Sequence, residues 1–521
     1  MSSERDPLLG AQHSEASGSQ QDVTGELFDN IPKNKRQLGF FSAVSLIFNR
    51  IIGTGGRMIA ATGTAVFIEL GTGLPRNGGE KNYLEFIYRR PAFLTTCVYT
   101  VYAIVMGTAA ANSIVFGEYT LHALAIEPTT FNTRLVAFLC LTFIVLVHGT
   151  WLQLGIRIQN TLCLFKFIIL SAIAMCGLLS LAGFPGFAVK EEYDQPNNFK
   201  WDKLWEGGRK DANSFVSGLY NVIWSFVGYS TANYALSEVR NPVKTIKRAA
   251  PLALFAVTLV YILINIGYFA VVSKADILGS KRIVASVFAS SMSGSKLILI
   301  PGTSALFFRN LFGETMERAL SAFIALSTLG NLLAGQFSSG RVIQELGREG
   351  LLPFSAFFAS NKPFHAPLAG LFSQYLVSCA FMILPPPGDA YLFMITLSSY
   401  SAALVNLAVS FGLLLLYTPT FRSWNWNPPF RAYSAVVVIF LISNLFLVGA
   451  PFIPPAPNSR TYENLPYWSH LVTAFGLSLL GLMYWYTKTV WIPRRHGYKL
   501  RREWVLQDDG VSRFVYRKEA L

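Results

Sequence analysis

Lys166 stands seven residues into the apolar stretch 160–182, flanked by Phe165, Phe167, Ile168 and Ile169. Its stem is too short to carry the ammonium easily out of such a stretch. A charge held in hydrocarbon costs at least about 2.5–3.5 kcal/mol, so ionisable groups at that depth mark substrate or ion pathways and proton relays by default. The competing reading is a lysine neutralised or paired for packing. Glu69 and Glu118 also lie in apolar stretches. Either could form a structural pair between helices; that reading is favoured for Glu69, close to Arg76, and left open for Glu118. Arg50 sits three residues before Gly53-Thr54-Gly55, where only a wetted cavity or a partner tolerates it.

Glycine-rich breaks are the second signal. Gly53-Thr-Gly-Gly56 interrupts the first apolar region and Trp224-Ser-Phe-Val-Gly-Tyr-Ser230 interrupts the stretch 213–236. Unwound backbone at membrane depth is tolerated only where it lines a cavity, and secondary transporters bind substrate at such breaks. The alternative is close helix packing through small residues. Enzyme motifs are absent: there is no P-loop and no HExxH, the six histidines show no metal spacing, and the glycines from Gly71 to Gly79 follow no strand. Cys97, Cys140, Cys163, Cys176 and Cys379 all fall in apolar stretches without CxxC spacing and read as small buried hydrophobes.

Composition identifies the elements that must hold these residues. Of 521 residues, 52% are hydrophobic and 14% charged, against roughly 25% charged in an average soluble protein. Stretches of about 20 apolar residues, enough to cross a roughly 30 Å hydrocarbon core, recur from residue 39 to 490. Ten are clear, at 93–122, 133–150, 160–182, 213–236, 250–273, 316–340, 366–385, 391–417, 433–452 and 467–490. Two more, 39–53 and 57–73, are short and separated by Gly-Gly-Arg. The expected class is an all-α integral membrane protein, with a disordered tail 1–36, a membrane domain 37–490 and a basic tail 491–521.

The net charge of +14 sits in short segments between apolar stretches, a positive-inside pattern rather than a nucleic-acid-binding face. Placing the basic loops inside, with Arg76, Lys81, Arg89, Arg240, Lys244, Arg341 and Arg348, puts both termini in the cytoplasm. The number of crossings is then even, so the segment 39–73 must enter and leave on one side. No cleavable signal is visible, because the first 36 residues lack an apolar core.

Resemblance adds more than physics here. Asn49-Arg-Ile-Ile-Gly-Thr-Gly55, Trp224-Ser-Phe-Val-Gly228 and Glu238-Val-Arg-Asn-Pro242 resemble the two discontinuous helices of the amino acid-polyamine-organocation superfamily. With Glu69-Leu-Gly-Thr-Gly-Leu-Pro-Arg-Asn-Gly-Gly-Glu-Lys81 they look most like the fungal high-affinity methionine permeases, over about residues 37–490. The resemblance implies an amino acid permease fold of twelve spans, with spans 1–5 and 6–10 as inverted repeats and substrate held where spans 1 and 6 unwind. In that scheme Gly53, Thr54 and Gly55 hold the substrate carboxylate through N–H groups, and Phe226, Val227 and Gly228 offer carbonyls to its ammonium. Trp224 covers the bound side chain. Lys166, preceded by Arg157-Ile-Gln-Asn160, matches the span-5 lysine that replaces a sodium ion, which implies proton symport of methionine or a related sulfur amino acid, at the plasma membrane, without cofactors.

The chain departs from that pattern twice. After Gly55 it passes through Gly56-Arg57-Met58 directly into the second half of span 2, so spans 1 and 2 are truncated by some 20–30 residues on the roughly 20-residue span rule. The pieces 39–53 and 57–73 would reach about 22 and 25 Å, as a hairpin that turns inside the membrane. The Ser-rich segment 287–306 reads as inserted sequence. The readings carried forward are a transporter, a non-transporting nutrient sensor, and the inactive product of a misassembled gene. Lys33 and Lys35 in the tail are candidate ubiquitin acceptors, the alternative being anchorage at the membrane surface.

Overall fold

In hydrocarbon every backbone N–H and C=O must find a partner within the protein, which favours helices for an apolar chain. The computed structural model describes residues 38–50, 57–191, 194–204, 220, 227–274, 307, 310–350, 352–360, 364, 366–383, 389–419, 421, 425–455, 462, 464–506 and 512–520. Within them the apolar stretches are helical: α1 Phe40–Arg50, α2 Arg57–Gly73, α3 Glu80–Ile87, α4 Leu94–Met106, α5 Ala110–Ala123, α6 Thr130–Thr150, α7 Leu152–Leu181, α8 Pro242–Val271, α9 Glu314–Arg348, α10 Leu368–Ile383, α11 Ala390–Leu416, α12 Ser434–Gly449 and α13 Ser469–Trp485. Among the described residues, six helices are long and apolar enough to cross a membrane: α6, α7, α8, the greater part of α9 and of α11, and α12 with its extension to Phe452. The tail 1–36, with Lys33 and Lys35, and the segment 287–306 lie outside the described residues.

Local sequence sets the boundaries. Thr129 caps α6 by accepting a hydrogen bond from Asn132 N, and Pro242 opens α8 at a position where its missing N–H is no loss. Large apolar side chains point outward along α6 (Phe138, Leu139, Leu146), α7 (Leu164, Ile168) and α8 (Phe255, Leu259), an apolar surface far larger than a water-solvated monomer shows. The protein is a multi-pass membrane protein. Inside, α7 and α8 cross at Gly177 and Gly267, where a Cβ on Gly177 would lie 2.3 Å from Gly267 Cα. Only small residues allow that approach.

The short first region satisfies the parity that the charges demand. Leu38, just before α1, bridges Val239, and Asn77, just after α2, bridges Ala235. Leu38 N donates to Glu238 O at 3.1 Å, and Gly78 N to Tyr234 O at 3.2 Å. Both ends of the 40–73 segment are thus pinned to one strip, 234–240, and the chain enters α1 and leaves α2 at the same end of the bundle. The two helices pack chiefly on others, α1 on α7, α8, α9 and the segment 227–234, and α2 on α8 and α12.

One sequence expectation needs correction. The stretch 93–122 is not one unbroken helix: α4 ends at Met106 and α5 begins at Ala110. The backbone freed by this break finds partners across the bundle, as Ala109 N donates to Ser378 Oγ at 2.9 Å and Gln336 Nε2 to Gly107 O at 3.4 Å. The basic tail 491–521 carries local structure that the sequence reading did not specify. Tyr498–Leu506 (β1) and Ser512–Ala520 (β2) form an antiparallel hairpin with Trp504 opposite Phe514, tied by Arg501–Glu519 at 3.0 Å and Arg517–Glu503 at 3.3 Å. Its strands alternate well enough and the intervening Asp509-Gly510 is a hairpin signal, but the basic composition masked both.

Candidate functional site

From Val227 on, the stretch that ends near residue 236 is not an α-helix. Val227–Tyr234 is a 3-10 helix, followed by a second, Leu236–Glu238. Tight 3-10 geometry marks a hinge or an interrupted helix, and beside this one lies a cavity of about 100 Å³, room for several water molecules. Tyr229, Ser230, Thr231 and Tyr234 face it from the 3-10 segment, and Gly107 from the α4–α5 break. Across it, α9 presents Ser338 and Val342 and α11 presents Ser398 and Asn406. Asn406 Nδ2 donates to Tyr229 Oη at 3.2 Å. The 3-10 segment and the α4–α5 break therefore open onto one space.

One carboxylate enters this space. Glu80 is the first residue of α3, which lies between the apolar stretches 57–73 and 93–122. Gly78 and Gly79 precede it with φ of 115° and 54°, and a Cβ on Gly79 would stand 2.4 Å from the Tyr234 ring. Glycine is what lets that ring lie against the turn, and the turn in turn aims Glu80 inward. Glu80 Oε1 accepts from Tyr234 Oη at 3.0 Å and Oε2 from Tyr99 Oη at 3.2 Å. Burial pushes its carboxyl up to about 7, against the hydrogen bonds from Tyr234, Ser230 and Tyr99 that favour the charged form.

Beyond Glu80 the chain changes character. Lys81 is buried and pairs with Glu349 and, at 3.2 Å, Glu85; burial alone would lower its ammonium, but the two carboxylates outweigh it and hold it above its ordinary value. Arg341 Nε lies 2.7 Å from Glu238 Oε1, an ion pair out of hydrogen-bond alignment, and Arg348 Nη1 donates to Glu345 Oε1 at 2.6 Å. These pairs sit at the end of the bundle where Leu38 and Asn77 meet the strip 234–240, and they close it with charge matched to charge.

The residues singled out from sequence fare unevenly. Gly53, Thr54, Gly55, Trp224 and Phe226 lie outside the described residues, and Val227 is described in its backbone alone. Gly228 is buried within the 3-10 segment, next to cavity-lining Tyr229. Lys166 is 3% exposed on α7, turned away from the outward Phe167 and Ile168, but it is not among the residues lining the cavity. Cys163, one turn back, is within its electrostatic reach. Glu69 takes the structural role favoured for it, with Tyr417, Trp426 and the backbone of Ala432 as hydrogen-bond partners. Glu118 is fully buried on α5, and neither carboxyl oxygen has a hydrogen-bond partner among the described residues. Sequence reasoning missed Glu80, Tyr99 and Tyr234 as site residues; Glu80 was visible only as one letter of the Gly-Gly-Glu-Lys motif.

Comparison with known proteins gives the site its context. A family model described as amino acid permease matches residues 55–475. The high-affinity methionine permease of Saccharomyces cerevisiae is 40% identical over 514 residues, covering 94% of this chain and 85% of the relative. The low-affinity methionine permease of the same yeast is 28% identical, covering 93% and 88%. The human b(0,+)-type amino acid transporter 1 is 24% identical, covering 87% and 88%. A match of that extent, on a helical bundle with a 3-10 segment and a helix break beside one cavity, makes the chain a member of the amino acid permease family, a transporter rather than an enzyme.

Proposed function

We propose that the chain takes up methionine or a related sulfur amino acid by proton symport at the plasma membrane. The observation that carries this reading is the 40% identity over 94% of the chain to a protein named a high-affinity methionine permease. The cavity beside the 3-10 segment supports it, since substrate sites of secondary transporters form where helices unwind. The proposed topology has twelve spans in two inverted five-span repeats plus two, with spans 1 and 2 truncated and cytoplasmic tails 1–36 and 491–521 flanking a transport domain 37–490. The substrate carboxylate is assigned to Gly53, Thr54 and Gly55, its ammonium to the carbonyls of Phe226, Val227 and Gly228, and its side chain to Trp224, with Lys166 as coupling residue. Ubiquitination machinery acting on Lys33 and Lys35 is the proposed route of turnover.

One observation favours a second reading, a non-transporting product: α1 has 11 residues and only 51–56 join it to α2. Radiolabelled methionine uptake in permease-deficient cells, by this chain and by a version with the missing half-spans restored, separates the two. Proton-dependent uptake by both supports transport by the chain itself; uptake by the restored version alone assigns this chain to the second reading.

A further inference from the structure

We infer that Glu80 is the proton-carrying group of the transport cycle, taking a proton when the cavity is wetted from one side and releasing it when the cavity is wetted from the other. The inference deepens the symport reading above and rests on it. Among the described residues lining the cavity, Glu80 is the one with a carboxyl group, and none is Lys, Arg or His. It is 4% exposed, so its charge is set by the few groups around it.

Those groups are hydroxyls. Tyr99 reaches it from α4 and Tyr234 from the 3-10 segment, while Tyr83 on its own helix and Tyr229 lie within its electrostatic field. The adjacent cation, Lys81, is committed to Glu85 and Glu349. From α9 and α11 the cavity receives uncharged side chains, among them Ser338 and Asn406. A buried carboxyl with hydroxyl donors and, among the described residues, no cation facing it in the cavity is poised to exist in both protonation states, in keeping with a carboxyl pushed up to about 7.

The geometry also says how the proton is felt. As a carboxylate, Glu80 accepts charge-assisted bonds from Tyr99 and Tyr234 and ties α3 to both α4 and the 3-10 segment. When a hydronium ion in the wetted cavity gives its proton to one carboxyl oxygen, one O–H bond breaks in the hydronium and one forms on the carboxyl, leaving water and a neutral acid that accepts more weakly and carries a donor of its own. The tie to Tyr234 loosens, and Tyr234 ends the same 3-10 segment that contains Gly228. Protonation is thereby linked to the conformation of the segment assigned to the substrate ammonium.

The test uses the full chain in liposomes, with radiolabelled L-methionine as probe and both gradient-driven accumulation and methionine exchange as readouts. In Glu80→Gln, accumulation driven by a pH gradient falls at least tenfold and exchange, still measurable, loses its pH dependence. In Tyr234→Phe, loss of a donor to the carboxylate moves the midpoint of the pH profile about one unit to the alkaline side, since one such bond is worth roughly that much. A gradient-indifferent wild type overturns the symport reading itself. A wild type that responds to the gradient, with Glu80→Gln responding equally or Tyr234→Phe leaving the midpoint in place, overturns the role of Glu80 alone.

Discussion

Trp426 Nε1 donates a 2.8 Å hydrogen bond to Glu69 Oε1 across 357 residues of chain. The other carboxyl oxygen accepts from Ala432 N at 2.8 Å and from Tyr417 Oη. Glu69 is fully buried on α2, and Gly73, one turn on, leaves room for the Trp426 ring, whose Cη2 would be 2.4 Å from a Cβ there. Helix α2 is therefore anchored to the loop between α11 and α12 by a carboxyl group that meets only donors.

That arrangement makes a graded prediction. Glu69→Gln turns an amide N–H₂ toward groups that are themselves donors, leaving buried polar atoms unsatisfied at a cost of about 1–3 kcal/mol. Trp426→Phe removes one donor, keeps much of the ring packing, and should cost less. Thermal unfolding in detergent is expected to rank wild type above Trp426→Phe and Trp426→Phe above Glu69→Gln; equal melting of all three would remove the anchor from the account.

The glycine crossing predicts a steric failure instead. With Gly177 Cβ space occupied by Gly267 Cα, Gly177→Val forces α7 and α8 apart, and overpacking of this kind costs about 1–3 kcal/mol. A reduced yield of monodisperse protein is the expected result, while Gly183→Ala, at a position with open space around it, serves as a comparison that tests glycine loss without a clash, its own cost being backbone strain at φ 71°. If Gly177→Val purifies as well as wild type, the crossing tolerates separation.

How much of this was legible in the sequence follows from range. Apolar stretches of span length announce themselves locally, and so did the strip of basic loops whose parity argument the pairing of Leu38 and Asn77 with 234–240 satisfies. The break at Gly107-Thr108-Ala109 did not, because those residues are apolar enough to pass through a hydropathy window and are identified only by partners such as Ser378, 269 residues away. Glu80 was hidden for the same reason. An acidic residue opening a short helix beside a lysine reads as a solvated charge favourable to the helix dipole, and its burial depends on Tyr99 and Tyr234 folding over it.

Glu80 also predicts a pH dependence of stability. Its carboxyl rises from an ordinary 4.5 to about 7 on folding, so between those values the folded protein binds more protons than the unfolded chain. The associated stability is fully present below about pH 4.5 and is lost as pH rises through about 7, a change on the order of 3 kcal/mol. The melting temperature in detergent should fall from pH 5 to pH 8 in the wild type and fall less in Glu80→Gln. Parallel curves would mean that other groups control the profile.

Lys166 and Glu80 can be told apart by function. Lys166 is buried on α7 away from the cavity lining, near Cys163 and against the side of the bundle where α1 packs. We propose that a lysine in that place serves as a fixed cation beside α1, whereas Glu80 opens onto the cavity. On the proposed role of Lys166, in which its charge stands in for an ion, Lys166→Met is expected to lower methionine uptake tenfold or more, yet residual exchange should keep the pH midpoint of the wild type. Glu80→Gln should show the converse, with exchange retained and its pH dependence abolished. A midpoint that moves in Lys166→Met and stays in Tyr234→Phe would transfer the proton from the carboxyl group to the amine.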